Sequence, residues 1–159
     1  RDGLYRIGIA TDLHIPLVGA TAPRIRMPRK NKRGQYENWS KTALPWMSIG
    51  YETQIPPIST VTFYNAIANN GKMMRPRFVK KIVKNGETLM EFPPEVIKEH
   101  IAKPQTIKTM QTILEHVVSQ GLGKKAGSRS FKVAGKTGTA QIAEGGGYKS
   151  GTMKYWLYL

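Results

Sequence analysis

The thirteen residues from Phe131 to Ala143 constrain the fold of this chain more than any other stretch. They read Phe131-Lys132-Val133-Ala134-Gly135-Lys136-Thr137-Gly138-Thr139-Ala140-Gln141-Ile142-Ala143. Phe131 and Val133 alternate with Lys132 and Ala134, the period of a strand with one packed face. Gly135 and Gly138 remove side chains where another backbone would approach. A strand edge built this way receives an extended ligand through its main chain. Lys136 supplies a charged donor, and Thr137 and Thr139 supply hydroxyls, so the expected guest is an extended peptide ending in a carboxylate.

The rest of the chain leads into that strand. Residues 1–20 are apolar with weak helical spacing through Leu4, Ile7 and Ile9, broken at Gly8 and Pro16, and predict a short helix or an extended piece. Residues 21–41 differ in composition: Arg24, Arg26, Arg29, Lys30, Lys32, Arg33 and Lys41 face only Glu37. With Pro23, Pro28 and Gly34 and few apolar residues, the segment predicts a basic surface loop without a core of its own.

Pro45 to Gln54 then lead to Ile55-Pro56-Pro57, which opens a helix, since proline is tolerated where the first-turn N–H would be unpaired anyway. Ile58, Val61, Phe63, Tyr64, Ala66, Ile67 and Ala68 make that helix apolar nearly all round and predict burial, and Asn69-Asn70-Gly71 closes it. Phe78–Lys84 and Glu87–Phe92 flank Asn85-Gly86, the dipeptide that most favours a two-residue type I′ hairpin turn. A second helix starts at Pro104, with Ile107, Met110, Ile113, Leu114, Val117 and Val118 at three and four spacing, and ends at Gly121. Gly121, Gly123 and Gly127 with Lys124, Lys125 and Arg129 form a flexible basic loop that delivers the chain into the strand. The segment Lys154-Tyr155-Trp156-Leu157-Tyr158-Leu159 favours a strand; such an end is expected of a piece cut inside a larger sheet.

Charge and composition narrow the chemistry. Lys and Arg number 25 against 10 Asp and Glu, a formal charge of +15, which favours an anionic partner: nucleic acid, a membrane surface or wall polymer, or a carboxylate substrate. There is no cysteine, which rules out disulfides and thiolate zinc sites. His14, His100 and His116 lack metal-ligand spacing. No apolar run approaches the ~20 residues of a membrane span. Gly135-Lys136-Thr137 matches the end of a phosphate-binding loop, but Ser130 stands where its first glycine belongs. A phosphate loop also opens a helix, whereas Gly138 and β-branched Thr139 follow here.

Lys136-Thr137-Gly138-Thr139-Ala140-Gln141, after a helix and a glycine-rich loop and before a strand at Tyr155-Trp156, resembles the third active-site motif of the penicillin-recognising serine transpeptidases. Gly50-Tyr51-Glu52-Thr53-Gln54-Ile55-Pro56-Pro57, Phe63-Tyr64-Asn65-Ala66-Ile67-Ala68-Asn69-Asn70-Gly71 and Arg75-Pro76-Arg77 resemble the same family, in its class B, division or elongation type. The resemblance implies an α/β (α+β) chain, part of a serine-transpeptidase/β-lactamase-like fold with an antiparallel sheet packed against helices. It implies that residues 1–159 are the C-terminal portion of one transpeptidase domain, with 21–41 a basic loop within it.

The resemblance further implies a peptidoglycan D,D-transpeptidase, acting by serine acyl transfer without metal or organic cofactor. It would act on stem peptides ending in D-Ala-D-Ala, and on β-lactams, at the extracytoplasmic or periplasmic face of a bacterial inner membrane. The parent would be membrane-anchored and could meet other cell-wall synthesis proteins; no specific nucleic acid is expected. On that reading Lys136 stands beside the acylation centre and assists proton movement. Thr137 and Thr139 bond the substrate carboxylate, the Thr139 N–H serves as an oxyanion donor, and Gly138 lets the substrate lie against the strand.

The family also needs Ser-x-x-Lys and Ser-x-Asn. None of the seven serines (Ser40, Ser48, Ser59, Ser119, Ser128, Ser130, Ser150) begins either pattern. Both motifs are therefore expected to precede Arg1 in a longer chain, and this chain alone is expected to be inactive. Tyr36-Glu37-Asn38 resembles a variant second motif but lies in the basic loop and is set aside. The alternative is a non-catalytic basic module binding nucleic acid or an anionic polymer through residues 24–33, helped by Tyr36 and Trp39. Its binding would fall steeply with salt.

Overall fold

A computed structural model describes residues 2–37, 39–144 and 147–158. Asn38 of the Tyr36-Glu37-Asn38 triplet, Arg1, Gly145, Gly146 and Leu159 lie outside the described residues. The chain divides into two compact units, Arg1–Ala66 with Lys72–Ile101, and Ile67–Gly71 with Ala102–Leu159.

In the first unit, helix α1 (Asp2–Arg6) is followed by a turn through Gly8 and by buried Ala10 and Leu13. Gly8 has φ +88°, which favours glycine, and a Cβ there would fall 2.8 Å from Cε of fully buried Met73, whose side-chain end would have to shift. Residues 21–41, expected to be loop throughout, contain three two-residue strands: β1 (Arg24–Ile25), β2 (Arg29–Lys30) and β3 (Tyr36–Glu37). β2 and β3 pair as a small hairpin around Asn31, whose side-chain oxygen accepts from the Arg33 and Gln35 N–H groups at 2.9 and 3.0 Å. That Asx-type turn is what the loop composition left unread. Helix α2 (Ala43–Ser48) and strand β4 (Thr53–Gln54) follow, and β4 pairs back on β1.

Helix α3 (Pro57–Ala68) forms where proline and the apolar run place it. It is not buried all round. Ser59, Thr62, Ala66 and Ile67 are buried, whereas Val61 is 44% exposed. Three of these four buried residues are small, and the Thr62 hydroxyl donates to the Ile58 carbonyl at 2.8 Å. Strand β5 (Met73–Met74) pairs with β8 (Val96–Lys98). Between them stands the hairpin of β6 (Lys81–Lys84) and β7 (Glu87–Glu91). Asn85 and Gly86 both have positive φ, 51° and 85°, as the type I′ turn requires.

In the second unit, α3 is stopped by Asn70 and Gly71, both at positive φ. Helix α4 (Pro104–Ser119) buries Ile107, Leu114 and Val118, three of the six stripe positions, while Ile113 is 48% exposed. Its Gln111 side chain donates to the Ile67 carbonyl at 2.7 Å. The glycine-rich loop is more ordered than its composition predicts: Gly121 and Gly123 N–H groups cap His116 and Val117 carbonyls at 2.9 Å, and Lys124–Ala126 form one 3₁₀ turn. Strand β9 (Lys136–Glu144) then pairs antiparallel with β10 (Gly147–Tyr158). All strand pairs among the described residues are antiparallel.

Candidate functional site

The Lys136–Thr139 motif begins the strand instead of lying within it. β9 starts at Lys136, so Phe131–Gly135 lie outside the strand expected over 131–143, and Phe131 is 68% exposed with no packed face. The ladder explains the shift, because pairing with β10 runs only from Lys136, opposite Tyr158, onward. The Gly135 N–H is instead held by the Leu114 carbonyl of α4 at 3.1 Å. A second tie, from Lys132 Nζ to Glu115 Oε1 at 3.1 Å, anchors the same approach to the same helix. The amphipathic stripe of α4 signalled a packed helix, but nothing in the sequence signalled that its Leu114 carbonyl would fix the strand's entry.

Lys136, Thr137, Gly138 and Thr139 stand opposite Tyr158, Leu157, Trp156 and Tyr155. The strand expected at Tyr155-Trp156 is thus the direct partner of the motif. Strand alternation puts Thr137 and Thr139 on one face and Lys136 and Gly138 on the other. Lys136 and Thr139 are exposed and Thr137 is half-buried. The Lys136 ammonium curls back to donate to the Thr137 carbonyl at 2.6 Å, which brings its charge along the backbone towards the threonine pair.

Among the described strands β9 has β10 as its one partner. Alternate residues of β9 therefore turn N–H and C=O groups away from β10, the arrangement that an added extended strand requires. Just before the strand, Ala126, Gly127, Ser128 and Phe131–Ala134 line a cavity of about 470 Å³. Among the described residues no cluster of three or more His, Asp or Glu side chains could hold a metal ion, and no helix is long and apolar enough to cross a membrane.

This arrangement makes a candidate strand-edge site with one cation, two hydroxyls and a glycine between them. The family model of the penicillin binding protein transpeptidase domain matches residues 21–158, and the chain belongs to that family. It is 30% identical over 113 residues to penicillin-binding protein PbpB of Mycolicibacterium smegmatis, covering 66% of this chain and 17% of that protein. It is 28% identical over 138 residues to the peptidoglycan D,D-transpeptidase FtsI of Buchnera aphidicola, covering 86% of this chain and 21% of that protein.

Penicillin binding protein 3 from Mycobacterium tuberculosis, solved with ampicillin, matches 98% of this chain and 34% of its own, with a TM-score of 0.71 and 28% identity. The mixed helix and sheet architecture is that of the serine-transpeptidase/β-lactamase-like fold, and the class B resemblance read from the sequence is borne out by these relatives. The chain spans about a fifth of the length of these curated relatives. The matches give no support to the alternative of a non-catalytic basic module.

Proposed function

We propose that this chain is the part of a peptidoglycan D,D-transpeptidase domain that supplies the substrate-holding wall of the acyl-transfer site. The observation that carries the reading is β9 itself: Lys136-Thr137-Gly138-Thr139 open a strand whose second edge has no partner among the described strands. A stem peptide ending in D-Ala-D-Ala would lie antiparallel along that edge. Gly138 leaves room for its backbone, and the Thr137 and Thr139 hydroxyls donate hydrogen bonds to its terminal carboxylate from one face. Lys136 adds the positive charge that favours the carboxylate and assists proton movement at the reacting serine. The Thr139 N–H would serve as an oxyanion donor, and one such donor is typically worth ~10²–10³ in rate.

On this reading residues 1–159 belong to one transpeptidase domain, with 21–41 as its basic surface segment. Relatives with cell-wall names support action outside the cytoplasm, at the periplasmic or extracytoplasmic face of the inner membrane. A β-lactam, as a mimic of the acyl-D-Ala-D-Ala backbone, would occupy the same edge; the ampicillin complex of the tuberculosis protein supports that choice of ligand.

No serine here begins Ser-x-x-Lys, so this chain orients substrate and does not itself attack it. Intact mass after incubation of the 159-residue chain with a penicillin is expected to stay unchanged; a gain of one acyl unit would overturn the assignment of the nucleophile to another segment. An acyl-D-Ala-D-Ala peptide should shift the amide resonances of residues 136–139, and equal shifts from the L-Ala-L-Ala isomer would remove the substrate reading.

A further inference from the structure

We propose that the free edge of β6 is a docking site for an extended segment of another polypeptide that carries acidic side chains between apolar ones. The β6–β7 hairpin stands as a sheet of its own: all four residues of β6 and all five of β7 are exposed. Among them Ile82, Val83, Leu89 and Met90 are 46%, 48%, 61% and 53% exposed. A two-stranded hairpin is marginally stable in water without an apolar face covered, and an apolar strand edge left bare invites pairing.

The two edges are not equivalent. The register runs Ile82 opposite Met90 and then Val83 opposite Thr88, which leaves Leu89 as an extra residue on β7. A bulge bends and twists its strand, so the β7 edge is poorly shaped for a further partner. β6 carries no such insertion and no proline from Lys81 to Lys84, so alternate residues keep outward N–H and C=O groups in the order a further antiparallel strand pairs with.

Charge selects the same edge and the kind of guest. Lys80, Lys81 and Lys84 lie on or beside β6, and Glu91 and Glu87 stand opposite Lys81 and Lys84 on β7, so the positive side chains are the nearer charges at the β6 edge and the negative ones at the β7 edge. A segment with acidic residues is attracted along β6 and repelled along β7, and a second copy of β6 would meet its own lysines. The apolar half of the guest has a place as well. Phe78 and Val79, just ahead of β6, line a groove of about 590 Å³ with Phe92, Pro93, Pro94 and Pro16. The base of the hairpin is closed by Phe92 N–H donating to the Lys80 carbonyl at 2.9 Å and Arg77 Nη1 to the Phe92 carbonyl at 2.6 Å, so the groove lies at the base of the hairpin, directly ahead of β6 in the chain. A strand added antiparallel to β6 runs from Lys84 past Lys81 and sets its last apolar residue among Phe78 and Val79.

The test uses the 159-residue chain and a blocked heptapeptide of sequence Glu-Val-Glu-Ile-Glu-Val-Glu. Saturable binding is expected with a dissociation constant on the order of 10⁻⁴ M, and amide shifts confined to residues 78–84. Two controls separate strand addition from attraction to a basic protein. The same peptide N-methylated at alternate residues keeps its charge but cannot complete the ladder, and should lose binding. Lys80→Ala combined with Lys84→Ala should weaken the parent peptide by about tenfold with the hairpin's own amide pattern preserved. Equal affinity for the N-methylated peptide, shifts centred on residues 87–91, or no saturation at millimolar peptide would each overturn the proposal.

Discussion

Arg75 and Glu95 are joined twice, by main chain and by side chain. The Arg75 N–H donates to the Glu95 carbonyl at 2.8 Å, and its guanidinium donates from Nε and Nη2 to the two carboxylate oxygens at 2.7 and 2.9 Å. The third arm, Nη1, donates to the Leu13 carbonyl at 2.5 Å, so one arginine ties the start of the chain to the strand region around β5 and β8. A lysine could not make this fork.

The fork gives the first prediction its sign. Hydrogen bonding from Arg75 holds the Glu95 carboxyl below its ordinary value, and the same bond raises Arg75. Between the folded and unfolded pKa of Glu95 the unfolded chain binds more protons, so stability rises with pH through that window. The contribution is present above the unfolded value and is lost as pH falls through the folded one. The stability difference between the parent chain and Glu95→Gln in urea should therefore be largest near neutrality and vanish well below the ordinary carboxylate range of about 4. It should also shrink in high salt, because both side chains are partly exposed. A difference that does not change with pH would remove the ion pair as its cause.

Two glycines with nearly the same φ should respond differently to alanine. Gly86 at +85° has open space where a Cβ would go, whereas a Cβ on Gly71 at +91° would lie 3.2 Å from Ile107 Cγ1. Gly86→Ala carries the backbone term alone, about 1–2 kcal/mol. Gly71→Ala carries that term and a shift of buried Ile107, and should be the more destabilising of the pair. Denaturant midpoints of the two variants check the order. Gly86→Ala should also speed amide exchange within Lys81–Glu91 while leaving α4 unchanged.

What the sequence disclosed was local. Asn85-Gly86 declares a turn through two positive φ values, and Pro104 with the stripe through Ile107, Leu114 and Val118 declares a helix, because each feature is decided within a few residues. What it concealed depends on partners far along the chain. Phe131 and Val133 carry the alternation of a strand, but Tyr158 pairs no earlier than Lys136, so the apparent strand of 131–135 is an approach held by Leu114. Val61 looks like core and is exposed, while Ser59 and Thr62 look like surface and are buried, since composition cannot say which face of α3 meets a neighbour. The motif Lys136–Thr139 was readable because it needs contiguous residues; the way Lys136 turns back onto Thr137 was not.

Leu114 links the core of the second unit to the candidate site, since its side chain is buried and its carbonyl holds Gly135. Leu114→Ala should destabilise the chain by about 2–5 kcal/mol, lowering Tm by about 5–15 °C. It should also accelerate exchange of the Gly135 amide more than truncation of half-exposed Ile113 does. If Ile113→Ala loosened Gly135 equally, the helix as a whole and not this residue would carry the tie.

The Lys136 cation can be tested in a longer protein that also carries the serine nucleophile. Lys136→Ala leaves β9 and its ladder intact, because the side chain is exposed and its bond is to the neighbouring Thr137 carbonyl. If Lys136 stabilises the substrate carboxylate and assists proton movement, acylation by a β-lactam should slow by ~10²–10³, the factor typical of removing one preorganised donor. Thr139→Ala should do less, since the oxyanion donor assigned to that position is a main-chain N–H that alanine retains. Gly138→Val should do more to binding than to chemistry, raising the concentration needed for half-maximal acylation, because a branched side chain would stand where the ligand backbone lies against the strand. Stopped-flow acylation rates for the three variants distinguish these outcomes, and a Lys136→Ala rate equal to the parent's would withdraw its assigned role while leaving the strand edge as the peptide-binding surface.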